Sequence, residues 1–183
     1  VAIQIKDNFL PNLFFNKLSS IFNNTSSHKL NWFWKYNTDS DVSGDGNFMF
    51  THMLWDFDVG ESSPYFAIFE PILYFLDAHV KVAQLRRMKL NLYTNQGKRI
   101  EHAEHYDYTD IKNLPQQNHN VTVLNFNTCN GGTVVNNKEY KSVENQAIIF
   151  DNTFKHYGIV QTDAPKRIVL NILTKRNEFI KRN

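Results

Sequence analysis

The chain reads as an α+β fold that is mainly β in its second half, and two observations carry that reading. Residues 10–22 and 64–80 place apolar side chains at helical spacing, whereas from about residue 81 onward β-branched and aromatic runs recur with a period of two, separated by Gly, Asn, Asp or Pro. Many short strands punctuated in this way indicate a sandwich, barrel or jelly roll. No helical segments alternate with the C-terminal strands, which disfavours a doubly wound parallel sheet.

In LPNLFFNKLSSIF (10–22), Leu10, Leu13, Phe14, Leu18, Ile21 and Phe22 form one apolar stripe, and Pro11 suits a first helical turn. Trp32 to Trp34 and Phe48 to Phe50 read as short strands. PYFAIFEPILYFLDAHV (64–80) reads as a second helix, bent or restarted at Pro71, which lacks a backbone donor. The strands expected after it cover 86–93, 121–128, 133–135, 147–150, 154–160 and 167–174. Asn130-Gly131-Gly132 reads as a chain reversal; it lacks the lysine and following helix of a phosphate-cradling loop. The pairs Asn23-Asn24 and Asn136-Asn137 reflect composition as much as turn chemistry, so lone asparagines are discounted as turn signals. The basic tail KRNEFIKRN is expected to fray into solvent.

At 183 residues the expectation is a single domain, 1–183, with a helical support over about 1–80 and a β core over about 81–175. Apolar residues make up 42%, with 15 Phe, which excludes a disordered chain. Twenty basic against 18 acidic side chains leave +2, so there is no basic stripe for a nucleic-acid partner. No stretch approaches the ~20 apolar residues of a membrane span. The lone Cys129 excludes an internal disulfide framework and favours a reducing, cytoplasmic compartment. The opening VAIQIKDNF lacks the pattern of a signal peptide. An enzyme or a binding module remains.

The informative segment is EHAEHYDYTD (101–110). In an extended strand His105 and Asp107 would project from one face, bringing an imidazole and a carboxylate to one ion. A third ligand can come from His156, inside another strand-like run. Two His and one carboxylate on one side of a metal leave open positions, the facial arrangement of non-haem Fe(II) oxygenases. Arg167 opens RIVLNIL, where alternation puts Arg167, Val169 and Asn171 on one face, and its planar fork matches a carboxylate. Lys89, Asn91 and Tyr93 share a polar face that calls for a cavity or water.

The ordered set resembles the 2-oxoglutarate- and Fe(II)-dependent dioxygenases, and within them the prolyl 4-hydroxylase-like branch, over roughly residues 85–175. It runs LNLYTN with Tyr93, HYD with His105 and Asp107, VLNFNTCNGGT with Gly131, Gly132 and Thr133, NQAIIFD, KHYG with His156, and KRIVLNI with Arg167. The resemblance implies a double-stranded β-helix, a jelly roll with N-terminal helices packed on its larger sheet. It implies Fe(II) on His105, Asp107 and His156, and the distal carboxylate of 2-oxoglutarate on Arg167, with Tyr93 lining the cosubstrate pocket. Asn125 falls where many relatives carry a second Tyr, and Asn171 is the candidate to compensate. The implied reaction consumes O2, converts 2-oxoglutarate to succinate and CO2, and hydroxylates an unactivated C–H bond, with ascorbate as reductant. A prolyl or similar side chain of a peptide is the expected substrate; a free amino acid or metabolite is the alternative. Leu173 stands where a nucleic-acid dealkylase of the superfamily would carry a second Arg.

Plainer readings stand beside these. His28, His52, His79 and His119 read as surface or hydrogen-bonded histidines. His102 and Glu104 form a rival His-x-acid pair. Cys129 reads as an inert thiol. Trp32, Trp34, Trp55, Phe57 and Phe66 read as packing residues before cleft residues. Two rival functions are a non-catalytic jelly roll binding a sugar or small acid, and a Zn2+ hydrolase using the same ligands.

Overall fold

The computed structural model describes residues 2–22, 30–36 and 47–177. His28, Asn23-Asn24 and the last six residues of the tail lie outside the described residues. Among the described residues, eleven strands and three helices follow in the order β1 (Gln4–Lys6), α1 (Asn12–Ser20), β2 (Phe33–Tyr36), β3 (Phe48–Asp56), β4 (Glu61–Ser62), α2 (Phe66–Phe69), α3 (Ile72–Val80), β5 (Val82–Thr94), β6 (His119–Asn125), β7 (Cys129–Val135), β8 (Lys138–Ser142), β9 (Ala147–Asp151), β10 (His156–Ile159) and β11 (Lys166–Arg176). The large sheet has the order β1-β9-β6-β11-β5-β3-β2, with β4 on β3, and the small sheet has the order β10-β7-β8. All the strand pairings within these sheets are antiparallel. This is a mainly β jelly roll, as the sequence predicts.

Strand alternation sorts the core into two layers. On β11, Ile168, Leu170 and Ile172 join Met88, Leu90 and Leu124 against Phe15, Leu18, Phe69, Ile72 and Leu76 of the helices. Each such side chain contributes about 1.5–3 kcal/mol when fully buried, so the helices are fastened by one face of the large sheet. Val169 and Leu173 pack on the other face with Val121, Val123, Val135, Ile148 and Phe150, between the sheets. The second helix is restarted at Pro71 as expected, giving α2 and α3. Asn145, at φ 55°, donates to the Leu10 carbonyl at 2.8 Å and accepts from the Leu10 amide at 3.0 Å, tying the entry of α1 to the turn before β9.

Three local expectations are corrected. Gly131 and Gly132 do not reverse the chain; they lie inside β7, where a bulge separates the Cys129 and Gly132 pairings with β8. A Cβ on Gly132 would stand 2.5 Å from the Tyr140 carbonyl oxygen, and one on Gly131 2.8 Å from that of Ile159. Glycine is there for close strand approach. Gly132→Ala is accordingly expected to cost about 1–3 kcal/mol, read as a lower urea midpoint at unchanged m. Asn136 and Asn137 are turn residues after all: both have positive φ (48° and 63°), as a two-residue hairpin between β7 and β8 requires. The tail does not fray from its start, because β11 runs to Arg176, which pairs with Asp151 at 2.7 Å.

Candidate active site

His105 and Asp107 do not sit in a strand. They belong to the connection between β5 and β6, held to the small sheet by an isolated bridge in which the amides of His105 and His156 each donate to the other's carbonyl at 3.0 Å. The shared-face argument from an extended strand is therefore replaced by this bridge, which sets the two imidazole rings 4.5 Å apart. One ligand atom from each of His105, Asp107 and His156 lies within 4.8 Å of the others, and no other such group occurs among the described residues. His105 Nδ1 is 3.0 Å from the Ala103 carbonyl; donating there leaves Nε2 with its lone pair for a metal.

Asp107 is the most constrained member. Arg87 forms an ion pair with its Oδ1, Asn171 Nδ2 donates to Oδ2 at 2.8 Å, and His156 Nε2 is 3.2 Å from the same oxygen. Burial alone would raise its pKa, but the Arg87 charge and the two histidines override that and hold the carboxyl well below its usual range. The group is a carboxylate at neutral pH. Behind it, Asn152 accepts from the Tyr108 amide at 3.1 Å and donates to the carbonyls of Tyr108 and Gln116, at 2.7 and 3.0 Å, pinning the chain that follows the ligand to the end of β9.

The triad opens into a cavity of about 50 Å³ between the sheets. Arg167, 1% exposed, is at its inner end. Its Nη2 donates to Thr133 Oγ1 at 2.9 Å across the two sheets, and its guanidinium lies 5.2 Å from the Tyr93 ring centroid. Among the described residues, Nε and Nη1 are buried with no partner, and Arg167 forms no salt bridge with a carboxylate. A buried guanidinium with two idle donors is costly unless an anion meets it. Burial raises the Tyr93 phenol, so it stays protonated and able to donate.

Asn125 is fully buried and does not line the cavity: Ser142 Oγ donates to its Oδ1 at 3.1 Å, and its Nδ2 donates to the Gln146 carbonyl at 3.3 Å. Asn171 lines the cavity, but its amide holds Asp107 and not the region around Arg167. His102 also lines the cavity, tilted 5.2 Å from Tyr93, outside the ligand group. Trp55 stacks on Phe66 in the helical layer, while Trp34 and Phe57 are exposed. Cys129 is buried and free. Sequence reasoning missed Arg87 and Asn152. The signal for Arg87 was its position two residues before Lys89, on the strand face already read as polar.

Three solved structures share this architecture over nearly the whole chain. A Burkholderia pseudomallei oxidoreductase of the 2OG-Fe(II) oxygenase family matches with TM-score 0.68 at 12% identity, covering 96% of this chain and 86% of that one. A Pseudomonas putida prolyl-4-hydroxylase gives 0.59 at 13%, covering 96% and 93%. A Trichoplax adhaerens prolyl hydroxylase, in complex with a hypoxia inducible factor oxygen degradation domain peptide fragment, gives 0.60 at 13%, covering 94% and 83%. The fold is that of the 2-oxoglutarate- and Fe(II)-dependent oxygenases. No family model matches the sequence, and no curated protein matches it. In this oxygenase fold the residues present suit both groups that the resemblance implies. Two imidazoles and one ionised carboxylate form a one-sided donor set for Fe(II). The idle Nε and Nη1 of Arg167 suit the planar distal carboxylate of 2-oxoglutarate. Among the described residues, no helix is long and apolar enough to cross a membrane.

Proposed function

We propose that the protein is an Fe(II)- and 2-oxoglutarate-dependent dioxygenase that hydroxylates an unactivated C–H bond and releases succinate and CO2. The observation that carries this reading is a buried Arg167 with two unpartnered guanidinium nitrogens in the same cavity as the His105, Asp107 and His156 triad. A sugar-binding jelly roll or a hydrolytic zinc site gives no reason for that anion socket, and a jelly roll that only binds a small acid gives none for the three convergent metal ligands beside it. His105, Asp107 and His156 would hold Fe(II); Arg167, Thr133 and Tyr93 would hold 2-oxoglutarate. When bound, metal and cosubstrate supply the oxidising chemistry, with ascorbate as external reductant.

The chain's own residues position and shield. Arg87 and Asn171 keep Asp107 ionised and oriented, Thr133 braces Arg167, and Met49, Val123 and Val169 present apolar walls that limit water in the cavity. A prolyl ring or a similar C–H-rich group is the substrate motif that the likeness to prolyl hydroxylases supports. The reading is tested by mixing metal-free protein anaerobically with Fe(II) and 2-oxoglutarate, then admitting air. A metal-to-ligand charge-transfer band and then succinate are expected. Folded protein giving neither would overturn the assignment, and the band is the firmer criterion because turnover without the true substrate is slow.

A further inference from the structure

One cavity side chain has no task in the scheme above. Lys89 lines the cavity and, among the described residues, makes no hydrogen bond or ion pair. It stands opposite Asn171 on β11, whereas Tyr93 stands opposite Arg167. Four residues of strand separate the two positions, about 13 Å. Asn171, opposite Lys89, donates to Asp107, so Lys89 enters the cavity at its outer end, level with the triad and away from the Arg167 anchor, where substrate must meet the metal.

The acids near Lys89 are committed elsewhere. Asp107 is engaged by Arg87, Asn171 and His156. Asp56 Oδ1 accepts from the amides of Asp58 and Val59 at 3.0 and 3.2 Å. Fe(II), Asp107, 2-oxoglutarate and Arg167 together are close to neutral, so the Arg87 and Lys89 charges leave the outer end positive. Two residues along the same face, Asn91 Oδ1 is buried without a partner. 2-Oxoglutarate has no donor to offer it.

We infer that the substrate is a small acid with a free carboxylate beside an N–H group, a free amino or imino acid, whose carboxylate pairs with Lys89 Nζ and whose N–H donates to Asn91 Oδ1. An internal residue of a peptide has the N–H or ring but no carboxylate for Lys89. Burial, with the Arg87 charge added, pushes the free Lys89 amine down to about 7, and a bound carboxylate restores its ammonium form. The inference rests on the oxygenase reading for placing substrate at this end of the cavity.

The test uses protein carrying 13Cε-lysine, loaded with Zn(II) and 2-oxoglutarate so that nothing turns over, with the Lys89 signal assigned by its loss in Lys89→Met. The probes are the common free amino acids, their matching amides, and the capped tripeptide acetyl-Gly-Pro-Gly-amide. At least one free amino acid is expected to shift the Lys89 signal, its amide and the tripeptide binding about tenfold or more weaker. Lys89→Met should abolish the preference for the free acid, Lys89→Arg should keep part of it, and both should still bind 2-oxoglutarate. Lys89→Met should also melt higher, since it removes an unpaired amine from a half-buried site.

Three results overturn the inference: no free amino acid shifting the signal up to roughly 10 mM, beyond the usual range of substrate KM values; amides or the tripeptide binding as well as the acids; or 2-oxoglutarate itself saturating the Lys89 shift. The two readings fail separately. An Fe(II) and 2-oxoglutarate charge-transfer band without an amino-acid shift removes this inference alone. Absence of the band removes the oxygenase reading whatever Lys89 does.

Discussion

His105→Ala and Asp107→Ala are each expected to abolish the Fe(II) and 2-oxoglutarate charge-transfer band and all succinate formation, while His102→Ala keeps both. The three positions are close in sequence and all three side chains line the same cavity, so proximity alone does not separate them. What separates them is the bridge between His105 and His156, which brings one atom of each ligand within 4.8 Å of the others and leaves His102 beside Tyr93. Loss of a partner behind a metal ligand typically costs 10–100-fold in affinity, so loss of one of only three protein ligands should weaken Fe(II) binding by at least about a hundredfold. Asp107→Ala should be the more severe variant. It removes the only anionic ligand and leaves the half-buried Arg87 charge facing the metal. Asp107→Asn keeps the shape and tests the charge alone. Fe(II) affinity by competition with a chromogenic chelator checks the series, and retention of binding by His105→Ala with loss in His102→Ala would show that the other His-x-acid pair holds the metal.

The path from residues to this site shows which parts of the fold a sequence exposes. Period-two runs located β5, β6, β9 and β11 because their buried faces are continuous, and the same alternation placed Arg167, Val169 and Asn171 together. β8, KEYKS, shows no period-two pattern because its side chains are mostly exposed and charged, and the Asn136-Asn137 turn that creates the hairpin does not stand out in a chain rich in asparagine. β7 was recognised only from Thr133 onward, since two glycines carry no pattern; their reason is the neighbouring backbone, which one strand read alone does not reveal. At the site, ligand identity was legible from residue type and order, but the support was not. Arg87 and Asn171 converge on Asp107 from positions 20 and 64 residues away. Asn125 shows the converse: placed by order alone it belongs near the cosubstrate, yet Ser142 and Gln146 take up its amide.

Arg167→Ala is expected to raise the 2-oxoglutarate requirement strongly while leaving Fe(II) binding nearly intact. Removing one member of a buried, hydrogen-bonded charge pair typically costs about 2–5 kcal/mol, which corresponds to roughly a thirtyfold to several-thousandfold rise in Kd. In the free protein Arg167 already lacks an anionic partner and leaves Nε and Nη1 idle, so its removal takes little from the apo fold beyond packing against Tyr93 and the bond to Thr133. Affinity, not stability, should therefore carry the effect. A specificity measurement isolates the cause: wild type should prefer 2-oxoglutarate over 2-oxobutyrate, which has no distal carboxylate, and Arg167→Ala should lose that preference by weakening only the dicarboxylate. Arg167→Lys should recover part of it, because a point charge cannot present the two-pronged donor that a carboxylate accepts. The two other lysines near this strand are poor substitutes. Lys166 donates from Nζ to the Phe22 carbonyl at 2.9 Å, toward the helices, and Lys89 lies four residues further along β5. An unchanged preference in Arg167→Ala would overturn the assignment of the distal carboxylate to Arg167, and with it the separation of the cavity into a cosubstrate end and a substrate end.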